Sequence, residues 1–192
     1  MVRLIIVIGC IVNTTAQAQQ RQEVYIRTGL LTSSMTFSPS VMLNQNEKNA
    51  YLTGFFEGFL DQHISFRGEG NYLIGGLDET AFYNKGFRTT FGILLHANKK
   101  NLDAYVGLMP GIYISKLADN ISPQGESQLS VVPVISVNVG GAFYMWKYAH
   151  VFMNVTYTST NYRKVYRDIN GRAGELMVSA GIGFNINVIR EK

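Results

Sequence analysis

The sequence predicts an all-β fold, namely an eight-stranded antiparallel up-and-down transmembrane β-barrel. Eight segments rich in Val, Ile, Phe, Tyr and Thr alternate with a period of two, which is typical of β-strands. Their connections alternate between long and short, and one face of the segments is apolar while the other is mixed. The predicted strands cover approximately residues 23–34, 50–60, 63–74, 86–96, 102–115, 128–143, 149–160 and 174–188.

The composition fits a single membrane-embedded domain. The chain has 192 residues, of which 46% are hydrophobic and 16% charged. Average soluble chains carry about 25% charged residues, and a chain this apolar is not disordered. The net charge of +4 is too small to indicate a nucleic-acid-binding protein, so no nucleic-acid partner is expected.

The first element is a predicted secretory signal peptide over residues 1–18. A short basic start, MVR, precedes the apolar run LIIVIGCIV, and Ala16 and Ala18 provide an A-x-A cleavage site. Removal of this segment leaves residues 19–192 as the barrel domain. The single cysteine, Cys10, lies in the apolar run and leaves open a lipoprotein-type start, which depends on the true start codon.

The connections that follow alternate in length. Long connections are predicted at 35–49, 75–85, 116–127 and 161–173, and short ones at 61–62, 97–101 and 144–148. Outer-membrane barrels combine short periplasmic turns with long outer loops. An even number of strands also closes such a barrel with both chain ends on one side.

The apolar face of the strands is predicted to contact lipid. Its members are the even-numbered residues of 24–30 and 52–60, together with Phe87, Phe91, Ile93, Val106, Leu108, Ile135, Val155, Ile182 and Phe184. A soluble lipocalin-like carrier is the alternative, since its apolar face would line a ligand cavity. Every lysine after the signal peptide lies in a predicted loop, turn or tail, which favours the membrane barrel.

The mixed face is predicted to form a packed polar interior. Its charged residues form a predicted interior network: Arg27, Glu57, Arg67, Glu69, Arg88, Asp103 and Glu175. Opposite charges in a closed interior are expected to pair, because an unpaired buried charge is very costly. Five of these residues could instead line a proton or ion path: Arg27, Glu57, Arg67, Glu69 and Arg88.

The pattern resembles the small eight-stranded outer-membrane barrels of the OmpX and OmpA transmembrane-domain type, grouped as outer-membrane β-barrel domain proteins. The resemblance rests on the loop alternation and on strands such as AYLTGFFEGFL and ELMVSAGIGFNINV. It implies location in the outer membrane of a Gram-negative bacterium. It also implies contact with outer-membrane lipid and lipopolysaccharide, and with other outer-membrane proteins. Such barrels often end on an aromatic residue, whereas this chain ends in NVIREK.

The function expected from these features is non-enzymatic: membrane integrity, surface contact, or membership of a larger outer-membrane assembly. A basic, tyrosine-containing stretch is the candidate contact loop, with Tyr162, Arg163, Lys164, Tyr166, Arg167 and Arg172. An outer-membrane lipid-modifying enzyme is the alternative, and the His63-Ile64-Ser65 stretch is its only lead.

Three histidines, His63, His96 and His150, flank predicted short turns, and strand parity points all three inward. Their spacing matches no metal-ligand motif, so neither a metal nor another cofactor is expected.

Overall fold

The protein is an eight-stranded β-barrel in which every strand pairs antiparallel with its neighbours and the last strand closes on the first. The computed structural model describes residues 28–43, 47–76, 83–117, 129–161 and 172–187. The strands are β1 (Leu30–Met42), β2 (Glu47–Phe59), β3 (Ile64–Gly76), β4 (Tyr83–Lys99), β5 (Leu102–Leu117), β6 (Leu129–Trp146), β7 (Ala149–Asn161) and β8 (Arg172–Asn187). The predicted fold class is confirmed. Within these ranges no helix is long and apolar enough to cross a membrane.

The two ends of the barrel differ in their connections. One end of the barrel, which we call the turn end, holds the start of β1 and the end of β8. It also holds the connections at 60–63, 100–101 and 147–148. The opposite loop end receives the connections 43–46, 77–82, 118–128 and 162–171. The long-short alternation therefore holds for the last three loops, while the predicted long connection 35–49 is wrong.

That error arises from β1, which begins later and ends later than the predicted strand 23–34. The stretch SSMTFSPSV belongs to the strand, and the hydroxyls of Ser38 and Ser40 find partners inside the barrel. Ser38 is hydrogen-bonded to Ser179 at 2.7 Å, and Ser40 donates to Glu175 at 2.6 Å. Even-numbered β1 residues thus point inward, and Leu30, predicted to face lipid, is a buried interior residue.

The β1–β8 seam has a gap in its ladder. Residues 30–34 and 40–42 of β1 pair with β8, whereas residues 35–39 have no assigned partners there. Pro39 lies in this gap and pairs only with Ala50 of β2. Because proline lacks an N–H group, it fits where a ladder bond to one neighbour is missing.

The outer surface is apolar along the length of the strands. Of the other residues predicted to face lipid, Val24 and Ile26 lie outside the described residues, and Thr28 lies in the turn before β1. Those from Leu52 onward lie on the outer surface, as parity required; Leu108 and Ile182, for example, are 57% and 59% exposed. On this surface the centroid of the Phe91 ring, on β4, lies 6.4 Å from those of Phe56, on β2, and Phe66, on β3. Trp146 and Tyr148 extend from the turn end, where aromatic side chains meet a membrane interface.

Candidate functional site in the barrel interior

The interior at the turn end is built around Arg67, which points inward from β3 and is 1% exposed. Its Nη2 and Nε donate to Oε2 of Glu57 at 2.6 and 3.1 Å. The guanidinium also lies between two rings, 4.3 Å from the centroid of Phe55 and 4.4 Å from that of Tyr105. A charge-assisted pair and two cation–π contacts together fix this side chain inside the barrel.

His96 completes this group, which we call the turn-end cluster: Glu57, Ser65, Arg67, His96 and Asp103. Its Nε2 lies 3.0 Å from Glu57 Oε1 and its Nδ1 lies 2.9 Å from Asp103 Oδ2. A carboxylate oxygen faces each ring nitrogen, and only the doubly protonated imidazolium can donate at both positions. The hydroxyl of Ser65 donates to Glu57 and lies 2.7 Å from His96 Nε2.

A second group, the loop-end cluster, consists of Ser40, Tyr51, Arg88, Tyr113 and Glu175. Arg88 Nη1 donates to Glu175 Oε2 at 2.7 Å, and its guanidinium lies 5.4 Å from the centroid of the Tyr51 ring. The tyrosine hydroxyls of this cluster are 3.4 Å apart. Both arginines of the interior are fully buried, so each cluster is dry enough to strengthen its ion pair.

Between the two clusters lies Glu69, whose hydrogen-bond partners are neutral amides. Asn71 donates to Oε1 at 3.1 Å, and Asn138, on the opposite wall, lies with its Nδ2 3.4 Å from Oε2. No cationic side chain among the described residues forms a salt bridge with this carboxylate. We call Glu69, Asn138, Asn154 and Thr156 the waist cluster.

The predicted interior residues are thus distributed over separate groups. Glu57, Arg67 and Asp103 are in the turn-end cluster, Arg88 and Glu175 in the loop-end cluster, and Glu69 in the waist cluster. Arg27 lies outside the described residues. So do the contact-loop residues Tyr162, Arg163, Lys164, Tyr166 and Arg167, while Arg172 is the first residue of β8.

The histidines divide between the interior and the rim. His96 and His150 point inward as parity predicted, and His150 Nδ1 lies 2.6 Å from Asn185 Oδ1. His63 is exposed in the β2–β3 connection, so its predicted inward orientation is wrong, because β3 begins only at Ile64. No group of three or more His, Cys, Asp or Glu side chains in the described ranges could hold a metal ion.

Sequence reasoning missed the connection between Ser65 and His96, which come from neighbouring strands. Ser65, His96 and Asp103 have the connectivity of a Ser-His-Asp triad. The alternation of the strand predicts that His96 points inward at the turn end. That His96 lies beside Ser65 depends on the register of β3 and β4, which the sequence alone does not give. Ser65 is 0% exposed, and its hydroxyl donates to Glu57. The Ser65–His96–Asp103 group therefore has no open position for a substrate.

An apolar outer surface around a polar, ion-paired lumen defines a transmembrane β-barrel of the outer-membrane type. The solved structures that share this fold include OprG of Pseudomonas aeruginosa, at 13% identity and a TM-score of 0.59, with 84% of this chain and 98% of that chain covered. The Neisserial surface protein A matches at 8% identity and a TM-score of 0.58, with 82% and 96% covered. Ail of Yersinia pestis, in complex with the heparin analogue sucrose octasulfate, matches at 15% identity and a TM-score of 0.53, with 83% and 99% covered.

These neighbours confirm the predicted resemblance to small eight-stranded outer-membrane barrels at the level of the fold. No protein-family model matches the chain, and no curated protein matches its sequence.

Proposed function

We propose that the protein is a non-enzymatic, non-conducting barrel in the outer membrane of a Gram-negative bacterium, and that it acts through its loop end. In this proposal residues 1–18 direct export and residues 19–192 form the barrel. The observation that carries it is the filled interior, where Arg67 and Arg88 are buried, ion-paired and packed against aromatic rings. An eight-stranded barrel has just enough interior for side chains to fill.

Conductance across a planar lipid bilayer tests the filled interior. We expect the refolded protein to give no stable channel current, because the Arg88–Glu175 pair joins β4 to β8 across the lumen and the buried Arg67 side chain fills the lumen at another height. The Arg67→Ala and Arg88→Ala double variant, which shortens both plugging side chains, is expected to conduct if it folds. Its folding is checked by the shift in gel mobility on boiling. A stable current through the wild-type protein would refute the non-conducting role.

Surface contact is the proposed activity, with outer-membrane lipopolysaccharide as the partner of the basic segment 162–172. This segment carries Arg163, Lys164, Arg167 and Arg172 against a single acidic residue, Asp168. The neighbour Ail has been solved with a sulfated heparin analogue, so a barrel of this fold can present a surface to a polyanion. Cationic side chains are suited to phosphate and sulfate groups through charge-assisted hydrogen bonds.

Binding to immobilised lipopolysaccharide tests this contact. A variant with Arg163, Lys164 and Arg167 replaced by alanine is expected to bind at least tenfold more weakly. The matched control replaces Lys99 and Lys100, at the turn end, and is expected to bind like the wild type. Equal binding by both variants would exclude the basic segment as the contact surface.

Membership of a larger outer-membrane assembly is tested separately, by affinity purification from membranes in mild detergent. Stoichiometric co-purifying proteins would support an assembly role. A barrel recovered alone would support a role in membrane integrity or direct surface contact.

The enzymatic alternative now rests on Ser65 and His96 instead of His63. We expect a fluorophosphonate probe, which labels activated serines, to leave the folded barrel unlabelled because Ser65 is fully buried. Labelling of the wild type that is lost in Ser65→Ala would establish a hydrolase.

A further inference from the structure

Two lysines lie directly opposite each other on neighbouring strands at the loop end. Lys85 of β4 is paired with Lys116 of β5, and no other two residues of like charge are partners in the described ladders. Neither lysine forms a salt bridge with a described carboxylate. Because like charges directly opposite on neighbouring strands are destabilising, an anion bound between these lysines would stabilise the fold.

Both lysines project from the outer wall of the barrel. Lys85 lies two residues before Phe87, which is 43% exposed on the outer surface. Lys116 lies two residues after Ile114, the partner of Phe87 on β5. Side chains two positions apart share one face of a strand, so both lysines point outward; Lys85 is exposed and Lys116 is half-buried. An anion would therefore reach them from the lipid side and not through the lumen.

The outer wall next to the lysines is apolar. The nearest outward positions towards the middle of the barrel form a row across β3 to β6: Tyr72, Phe87, Ile114 and Val131. Leu129, the partner of Lys116 on β6, is 70% exposed, so the wall at the level of the lysines still fits contact with lipid. From the middle of the barrel to the loop end the wall thus changes from apolar to cationic. A lipid leaflet changes in the same direction, from acyl chains to phosphate groups.

We propose that Lys85 and Lys116 bind a phosphate group of the lipid A part of lipopolysaccharide, whose acyl chains lie along the apolar row. This site rests on the proposed function, which places the loop end in the outer leaflet. Lysine is a common phosphate ligand. The phosphates of lipid A are monoesters, and a phosphate monoester carries about 1.5 to 2 negative charges at neutral pH, which matches two lysines. The phosphodiester of a phospholipid carries a single charge and would leave one lysine uncompensated.

Titration with lipid A tests the site, with native mass spectrometry of the folded protein in a mild non-ionic detergent as the readout. The probes are lipid A with two phosphate monoesters, dephosphorylated lipid A, and phosphatidylglycerol. The wild type is expected to bind dephosphorylated lipid A about 30-fold more weakly than lipid A, the effect of two lysines beside an anionic headgroup, and phosphatidylglycerol with intermediate affinity. Equal binding of the two forms of lipid A would overturn phosphate recognition. Binding of phosphatidylglycerol as tight as that of lipid A would overturn the assignment to lipopolysaccharide.

Three double variants, each checked for folding by the shift in gel mobility on boiling, make the test specific. Lys85→Gln with Lys116→Gln is expected to bind lipid A about 30-fold more weakly than the wild type. Lys85→Arg with Lys116→Arg is expected to keep binding, since arginine also binds phosphate. Lys99→Gln with Lys100→Gln is the matched control, which removes two exposed lysines from the turn end and is expected to bind like the wild type. Wild-type affinity in the first variant would overturn the proposal.

The variant with Arg163, Lys164 and Arg167 replaced by alanine separates this site from the basic segment, because β8, which follows that segment, lies across the barrel from β4. Loss of lipid A binding in that variant, with full binding by the Lys85→Gln and Lys116→Gln variant, would overturn the lysine site and leave the proposed surface contact intact. Loss only in the lysine variant would support the lysine site, even if binding to immobilised lipopolysaccharide did not depend on the basic segment.

Discussion

Arg67 is the side chain on which the turn-end cluster depends, because it both neutralises Glu57 and fills the space between Phe55 and Tyr105. Removal of one partner of a buried ion pair leaves the other partner charged and desolvated.

We therefore expect Arg67→Ala to destabilise the barrel by about 3–5 kcal/mol, the usual cost of breaking a buried pair. Arg67→Lys keeps the charge but loses the two-pronged hydrogen bonding and the flat stacking surface, and should cost less. The free energy of urea unfolding in lipid vesicles measures both changes. Equal stability of the wild type and Arg67→Ala would mean that the pair contributes nothing to the fold.

Asp61 controls the β2–β3 connection through its carboxylate, which accepts hydrogen bonds from the backbone N–H of His63 at 2.6 Å and of Ile64 at 2.7 Å. These bonds favour the ionised form and hold the pKa of Asp61 below its ordinary value of 3.8. Because the pKa of Asp61 is lower in the folded state, its carboxylate stabilises the fold at pH values above the ordinary pKa. This stabilisation is lost as the pH falls through the pKa of the folded state.

The stability difference between the wild type and Asp61→Ala is thus expected to shrink as the pH falls below about 4. Urea unfolding of both proteins over this pH series gives the difference directly. The interior carboxylates are the same in the wild type and the variant, so their protonation does not contribute to the difference in stability. A difference that grows as the pH falls below about 4 would contradict the hydrogen bonds of Asp61.

At the scale of the strands, the β4–β5 pair shows why a small residue is needed at one interior position. A Cβ atom added at Gly92 would lie 2.1 Å from the carbonyl oxygen of Leu108, so the two backbones approach too closely for a side chain. Residues of β4 on both sides of Gly92 are paired with β5, whereas residues 91–92 have no partner there, which matches a local distortion of the ladder.

Gly92→Ala is expected to destabilise the barrel by about 1–3 kcal/mol, as overpacking typically does. Gly58→Ala is the matched control, because a Cβ atom there meets nothing within 4 Å. Chemical denaturation of the two variants compares them under the same conditions. A larger effect at Gly58 would show that packing at Gly92 is not the cause.

The strands β2 to β8 could be predicted from the sequence because one face of each is consistently apolar while the other is mixed. β1 could not, since its serines and Pro39 are ordinary loop residues until the partners Ser179 and Glu175 are known. The same limit applies to the interior. Parity predicts that Glu57 and Arg67 face inward, but the pairing of Arg88 with Glu175 joins residues 87 positions apart and depends on the closure of the barrel.

For the whole molecule, the orientation of the apolar surface decides between a membrane barrel and a soluble carrier. Large apolar side chains cover the outside, and the polar residues that water would prefer are inside. In a bilayer, the cost of an exposed arginine depends on its depth.

Leu108→Arg, near the middle of β5, is accordingly expected to cost about 2–4 kcal/mol, while Leu102→Arg, at the first residue of the strand, costs about 0–1 kcal/mol. Both leucines are 57% exposed, so exposure alone does not separate them. Unfolding in vesicles measures the two costs. A soluble barrel would tolerate both substitutions equally, and that result would refute the membrane assignment.

The gap in the β1–β8 ladder at residues 35–39 also bears on how the cylinder is assembled. This seam joins the two ends of the described chain, so it demands the longest-range pairing and is expected to form last. Because this seam has fewer cross-strand hydrogen bonds at residues 35–39, β1 and β8 are expected to separate there most easily. Backbone amides of residues 178–182 that face β1 should therefore exchange with solvent deuterium faster than those of the β6–β7 pair. The closure of the barrel is therefore expected to be weakest around Pro39.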